Sequence, residues 1–203
     1  MDKKARKFVQ HIREHLEEYG GKLIIGKGKE VNTGEGLRSS GLFNDKPVII
    51  RAAKNCKDFL GVLAHEYAHF LQWLECPKNI QSADDNAGIV FFEWLSGKDY
   101  EPRDVHRAMT RIMVMERDAE RRAVNIIKQF DLNVDIENYI RKANCYIYMH
   151  WIMGERRSWN YRKGARDPMK SRKLISMMPD TFKAKADKKI PKRIREALLS
   201  YYP

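Results

Sequence analysis

Long apolar runs are missing from this sequence. Charges interrupt every candidate before the ~18 residues of a membrane helix are reached, so no membrane partner is expected. No apolar stretch follows the charged residues 1–7, and no secretory leader is expected. Cysteine is scarce. Cys56, Cys76 and Cys145 are odd in number and scattered, and they make neither a disulfide framework nor a CxxC metal knuckle. A reducing, cytoplasmic setting is expected, with the thiols buried and inert. There is no Walker-type glycine loop, no dinucleotide-binding glycine fingerprint and no serine nucleophile elbow, and none of those chemistries is indicated. Internal repeats and low-complexity tracts are also absent.

What is present is enough apolar material for a core. Hydrophobic residues make up 43% of the 203, which argues against wholesale disorder and fits one domain with an appendage. Charge is unevenly placed. Residues 154–203 carry 15 basic against 5 acidic side chains, and residues 1–153 carry 24 against 22. The expected organisation is therefore a body over 1–153 and a basic C-terminal extension over 154–203. Trp159, Tyr161, Phe182, Tyr201 and Tyr202 interleave with the cations. That pattern suits contact with nucleic acid or another acidic partner through Arg156, Arg157, Arg162, Lys163, Arg166, Lys170, Arg172 and Lys173. It equally suits aromatics packed on the body with the lysines left in water.

Periodicity gives an α+β order dominated by helix. Phe8, Ile12, His15 and Leu16 recur at helical spacing, predicting a helix over 2–19 that Gly20-Gly21 ends. Residues 22–26 read as a strand, 27–40 as loop or hairpin, and 41–43 and 48–50 as strands around an Asn-Asp-Lys-Pro turn. Asp58 is placed to cap a helix reaching Glu75, stopped by Pro77. Further helices are expected over 84–96, 102–130 and 135–153, with a short one over 191–201.

The informative helix is the one over 59–75. It contains His65, Glu66 and His69 in the spacing HExxH. Residues four apart share a helix face, so both imidazoles can reach one metal, and Glu66 lies beside the open position where it can take a proton from bound water. The flanking residues are mostly apolar, and burying two histidines and a glutamate among them is costly without a partner. The alternative is a pair of satisfied core histidines. A catalytic zinc usually takes a third protein ligand. The extended pattern HExxHxxGxxH has Gln72 and Glu75 at its last positions here, and without the glycine the helix does not turn Glu75 back to the metal. A better source is the helix over 102–130, where Glu116 and Glu120 share one face while Ala119 and Ala123 share another and permit close approach. Glu116 can ligate, and Glu120 can accept a hydrogen bond from a ligand imidazole. The competing reading of residues 116–122 is a solvated charge run with i,i+4 pairs, to which Arg117, Arg121 and Arg122 are expected to belong.

His65-Glu66-x-x-His69 followed by Glu116-x-x-Ala119-Glu120-x-x-Ala123 resembles the gluzincin zinc metallopeptidases, particularly the minimal ImmA/IrrE-type forms, over about residues 22–130. The resemblance implies a minimal zincin-like domain with a small sheet before the active-site helix, and Zn²⁺ held by His65, His69 and Glu116. It makes Glu66 the general base. The segments Ser40-Gly41-Leu42-Phe43 and Pro47-Val48-Ile49-Ile50 resemble the family's cleft-lining strand, which pairs with an extended protein or peptide substrate. The chain departs from the family in carrying Glu120 where relatives often have Asp or Asn, and in its long gap between His69 and Glu116. Small size and a basic tail are in the style of phage or mobile-element peptidases.

A peptidase also needs a donor for the developing oxyanion, and Tyr146 and His150, one turn apart, are the candidates; a packed core histidine is the other reading of His150. Tyr67 is expected to pack or meet solvent, and His11, His15 and His106 to be surface or packing residues. The expected function is zinc-dependent peptide hydrolysis. The alternative is a nucleic-acid-associated regulatory or virion-associated protein, with a structural or vestigial zinc site and a polyanion-binding tail.

Overall fold

Asp2 opens the first helix, its Oδ1 accepting the Ala5 N–H at 2.8 Å. The computed structural model describes residues 1–34, 37–75, 87–158, 167–182 and 190–203. Helix α1 (Lys3–Glu17) buries Phe8, Ile12 and Leu16 of the expected stripe, with Ala5 and Val9 beside them, and leaves His15 half-buried. Full burial of a side chain such as Phe8 or Leu16 stabilises by about 1.5–3 kcal/mol. Gly20, at φ +66°, supplies the left-handed residue that ends the helix, and the Gly21 N–H returns to the Leu16 carbonyl at 2.8 Å.

Five strands follow. They are β1 (Lys22–Gly26), β2 (Val31–Gly34), β3 (Leu37–Ser39), β4 (Gly41–Asp45) and β5 (Val48–Ala53). The segment expected as loop or hairpin is the antiparallel pair β2–β3. The main sheet has the order β1-β5-β4, with β1 parallel to β5 and β4 antiparallel to it. A parallel pair needs a crossover, and the β2–β3 hairpin and β4 supply it. Strand β4 is an edge of this sheet. Helix α2 (Phe59–Glu75) packs on β4 and β5, and α1 packs against β1. The first α2 bond of this kind runs from the Val62 N–H to the Asp58 carbonyl at 2.9 Å, where the helix was expected to begin. Pro77, its expected stop, lies outside the described residues.

The remaining helices are α3 (Ala87–Leu95), α4 (Pro102–Gln129), α5 (Ile136–Arg156), α6 (Arg172–Ser176) and α7 (Lys192–Leu199), with a 3₁₀ turn at Pro168–Lys170. The start expected for α3 at residue 84 lies outside the described residues. Gly97, at φ +106°, follows its end. Helix α5 runs past the expected end at 153 because Gly154 serves packing. A Cβ there would lie 2.2 Å from the Met109 sulfur, so a side chain at 154 would require that methionine to move. The α+β class with a helical majority is as expected.

Contacts divide the chain into two compact units, Met1–Ile80 with Ala119–Asp135, and Gln81–Asp118 with Ile136–Pro203. The first holds the sheet, α1, α2 and the second part of α4, its core including Phe8, Ile50, Leu63, Phe70, Ala119, Ala123 and Ile127. The second is all helix among its described residues. Phe91, Met109, Ile152, Leu174, Ile194 and Leu198 share its core. The boundary expected at residue 154 thus falls inside this unit. The described tail segments are part of its core, because their apolar residues alternate with the basic ones at helical spacing. Arg141 donates to the Met178 carbonyl at 2.6 Å and to Asp180 at 3.0 Å, and Asn144 donates to the Pro179 carbonyl at 2.9 Å, tying the tail to α5. Burial pushes the Cys145 thiol up to about 12, with Asp167 adding to the shift, and Cys56 is half-buried. Cys76 lies outside the described residues.

Candidate metal centre

Helix α2 is mostly apolar, and two of its few polar side chains, His65 and His69, belong to a group that could hold a metal ion. His65 and His69, one turn apart, turn their Nε2 atoms toward each other at 3.1 Å. Tetrahedral zinc with Zn–N bonds of about 2.0–2.1 Å holds its nitrogens about 3.3 Å apart, so the pair is close to ligand spacing. Their other nitrogens face acceptors. His69 Nδ1 lies 2.9 Å from Gln72 Oε1, and His65 Nδ1 lies 3.3 Å from Glu120 Oε1, the latter long and poorly aligned. An acceptor opposite Nδ1 fixes the proton there and leaves a lone pair on Nε2. Two lone pairs facing each other at 3.1 Å repel unless a positive charge lies between them. Either a proton or a metal ion meets that requirement.

Glu116 supplies a third donor. One ligand atom each from His65, His69 and Glu116 lie within 4.8 Å of one another, a group that could hold a metal ion. Glu116 stands on α4 one turn before Ala119, and Ala119 and Ala123 are fully buried. Glu66, Glu116 and Glu120 are each less than a tenth exposed. Of these, Glu116 belongs to the group that could hold a metal ion and Glu120 faces His65. The donor set of two imidazoles and one carboxylate suits zinc, although other divalent metals take such sites.

Arg122 and Glu75 form a bidentate pair at 2.6 and 2.8 Å that fastens the second part of α4 to the end of α2. Glu75 is thus committed to an arginine, in keeping with its rejection as third ligand. The charge-run reading needs correction here. Arg117 is only 8% exposed and Arg122 reaches another helix, so neither is simply solvated.

Gln72 was missed as a site residue. Its signal was present, as a buried polar residue one turn beyond His69 on an otherwise apolar helix.

Tyr67, between the two histidines in sequence, points elsewhere. Its hydroxyl meets His11 Nε2 at 2.9 Å and His15 Nδ1 at 2.6 Å. Burial, and secondarily Glu18, pushes Tyr67 up to about 12, so it stays a neutral phenol. The expected surface-or-packing histidines of α1 are therefore hydrogen-bonded partners of this phenol.

Tyr146 and His150 lie on α5 in the second unit. His150 is buried, its Nδ1 is 3.0 Å from the Tyr146 carbonyl, and its ring meets the Tyr146 ring edge-on with centroids 4.5 Å apart. Of the expected polyanion-binding residues, Arg156, Lys170, Arg172 and Lys173 are exposed. Arg157 instead lies over the Trp94 ring at 4.0 Å and donates to the Trp94 carbonyl and to Asp99. Arg162, Lys163 and Arg166 lie outside the described residues.

No family model, no curated protein and no solved structure matches this chain.

Proposed function

We propose that this protein is a zinc-dependent metallopeptidase with a minimal zincin-like domain, in which His65, His69 and Glu116 hold the ion and Glu66 is the general base. The observation that carries the reading is the convergence of His65 Nε2 and His69 Nε2 at 3.1 Å, with Gln72 Oε1 2.9 Å from His69 Nδ1 and the Glu116 carboxylate in the same group. A zinc ion bound there supplies a Lewis acid for a peptide carbonyl and lowers the pKa of water toward ~7.

The chain's own residues do the rest. Glu120 and Gln72 keep the protons of His65 and His69 on Nδ1, so that both imidazoles are neutral donors. Glu66, on the same helix between them, accepts a proton from the attacking water and returns it to the departing amine. Strand β4, at the end of the strand order and packed on α2, is where an extended peptide could add as a further strand. Tyr146 or His150 as oxyanion donor belongs to this reading too, and their substitution by Phe and Gln tests it.

The experiment is metal analysis paired with hydrolysis of a fluorogenic peptide library. The wild type is expected to hold about one zinc per chain. His69→Ala and Glu116→Ala lose it, and Glu66→Gln keeps it while losing turnover. A Glu66→Gln protein that cleaves normally would end the mechanism. A folded wild type that takes up no zinc would end the assignment.

The exposed Arg156, Lys170, Arg172 and Lys173 support a second reading, polyanion binding by the second unit. It predicts duplex or single-strand affinity that falls steeply with salt, and a flat salt response rejects it.

A further inference from the structure

Glu66 rests against a strand at the one point where that strand has no side chain. A Cβ built on Gly41, the first residue of β4, would lie 2.6 Å from Glu66 Oε1, 2.8 Å from Glu66 Cγ and 2.6 Å from Val62 Cγ1. Contacts this short are essentially never made by real Cβ atoms. The demand for glycine is steric, since Gly41 is not among the positive-φ residues. Nor can the strand simply step back. Gly41 is in register with Ala52 of β5, and its carbonyl accepts a hydrogen bond from Ser39 Oγ. Val62 and Glu66 are four apart on α2, so the two side chains form adjoining parts of one surface turned toward β4. A methyl group at position 41 would press on both. A valine can turn away at modest cost, but the carboxylate would have to leave its place.

We propose that Gly41 is a positioning residue for Glu66: its bare α-carbon is the space in which the carboxylate lies, and any side chain there displaces the base. The steric part stands on the contacts alone. The catalytic part rests on the reading of Glu66 as general base. A displacement of ~1 Å at a reacting group costs up to ~10²-fold in rate.

The test separates the two parts. It uses the full, zinc-loaded chain in a Val62→Ala background, which removes the other clash. Melting temperature is measured for the addition of Gly41→Ala, with Glu66 present and again with Glu66→Ala. Overpacking should lower the melting temperature by roughly 5 °C when Glu66 is present, and by less than about 1 °C when it is not. Equal shifts in both backgrounds would overturn the proposal, because Gly41 would then not be the wall of the Glu66 site. Turnover is measured on the same proteins. With Glu66 present, Gly41→Ala should reduce kcat by about 10-fold or more, with KM and zinc content held. Unchanged kcat despite the thermal coupling would reduce Gly41 to a packing residue and overturn positioning. A wild type that hydrolyses no peptide would sink the peptidase reading instead, and the thermal cycle would still decide whether Gly41 makes room for Glu66.

Discussion

The first unit contains two histidine pairs with the same spacing, and they meet different fates. His11 and His15 stand four apart on α1, and His65 and His69 stand four apart on α2. In the first pair a nitrogen from each ring turns to a single oxygen, the Tyr67 hydroxyl, at 2.9 and 2.6 Å. A phenol has one proton to give and lone pairs to receive with, so both imidazoles are satisfied by a neutral group. In the second pair the Nε2 atoms turn to each other at 3.1 Å, with Gln72 behind His69 and Glu120 behind His65. Of the two pairs, only this one belongs to a group that could hold a metal ion, though a proton shared between the rings also satisfies it. The lesson is that HxxxH spacing puts two rings on one helix face, while the groups behind the rings decide whether they become ligands.

The largest expected effects test that division. His69→Ala should abolish zinc retention after dialysis, and His15→Ala should leave zinc stoichiometry untouched. His15→Ala should instead lower stability by about 1 kcal/mol, because the Tyr67 hydroxyl loses one half-buried partner. Metal analysis and thermal unfolding of the two proteins side by side decide the matter. Zinc lost equally from both would mean that the α1 pair belongs to the metal site after all.

Next in size are the groups behind the rings. Gln72→Leu and Glu120→Ala each remove an acceptor from an Nδ1 and should weaken zinc affinity about 10–100-fold, measured by competition with a chelator. Glu120 was legible in the sequence because it shares a face with Glu116 on a helix already suspected. Gln72 is less legible, because it stands where the extended HExxHxxGxxH pattern has glycine. Most elements were legible for the same physical reason: stripes of period 3.6, Gly20 and Gly97 at helix ends, and the turn before Val48 are local signals. The role of the tail was not. Its basic residues dominate the composition, and nothing local reveals that Leu174, Ile194 and Leu198 meet α5 side chains distant in sequence. Gly154 and Gly41 were likewise silent, since a glycine chosen for close approach has no periodicity.

Tyr67→Phe sharpens the comparison with a smaller change. It keeps the ring that packs against Phe8 and Phe70 and deletes only the hydroxyl. The expected cost is about 1 kcal/mol, partly offset because water can reach the half-exposed histidines. Zinc affinity should not move, although the substitution lies inside the HExxH segment itself. A change in affinity as large as that of Gln72→Leu would show that the two pairs are coupled through α2.

The smallest effect is in pH. Burial holds His11 below its usual range, and His15 beside it pushes the same way, against weaker opposite pulls from Glu14 and Glu18. A histidine whose pKa is lower folded than unfolded binds its proton more readily in the unfolded chain. Stability is then fully present above the unfolded value of ~6.5 and declines as pH falls from there toward the folded pKa, below which the slope vanishes. The metal site would add its own acid lability, because protons compete with zinc for imidazole. The two contributions separate if melting is followed from about pH 7.5 to 5 on metal-free protein, with and without His11→Gln. The wild type should lose stability on acidification, and His11→Gln should flatten part of that slope without affecting zinc binding at neutral pH. Were the metal-free slope identical in the two proteins, His11 would not be the group that burial and His15 hold neutral, and the contrast between the two pairs would rest on the α2 side alone.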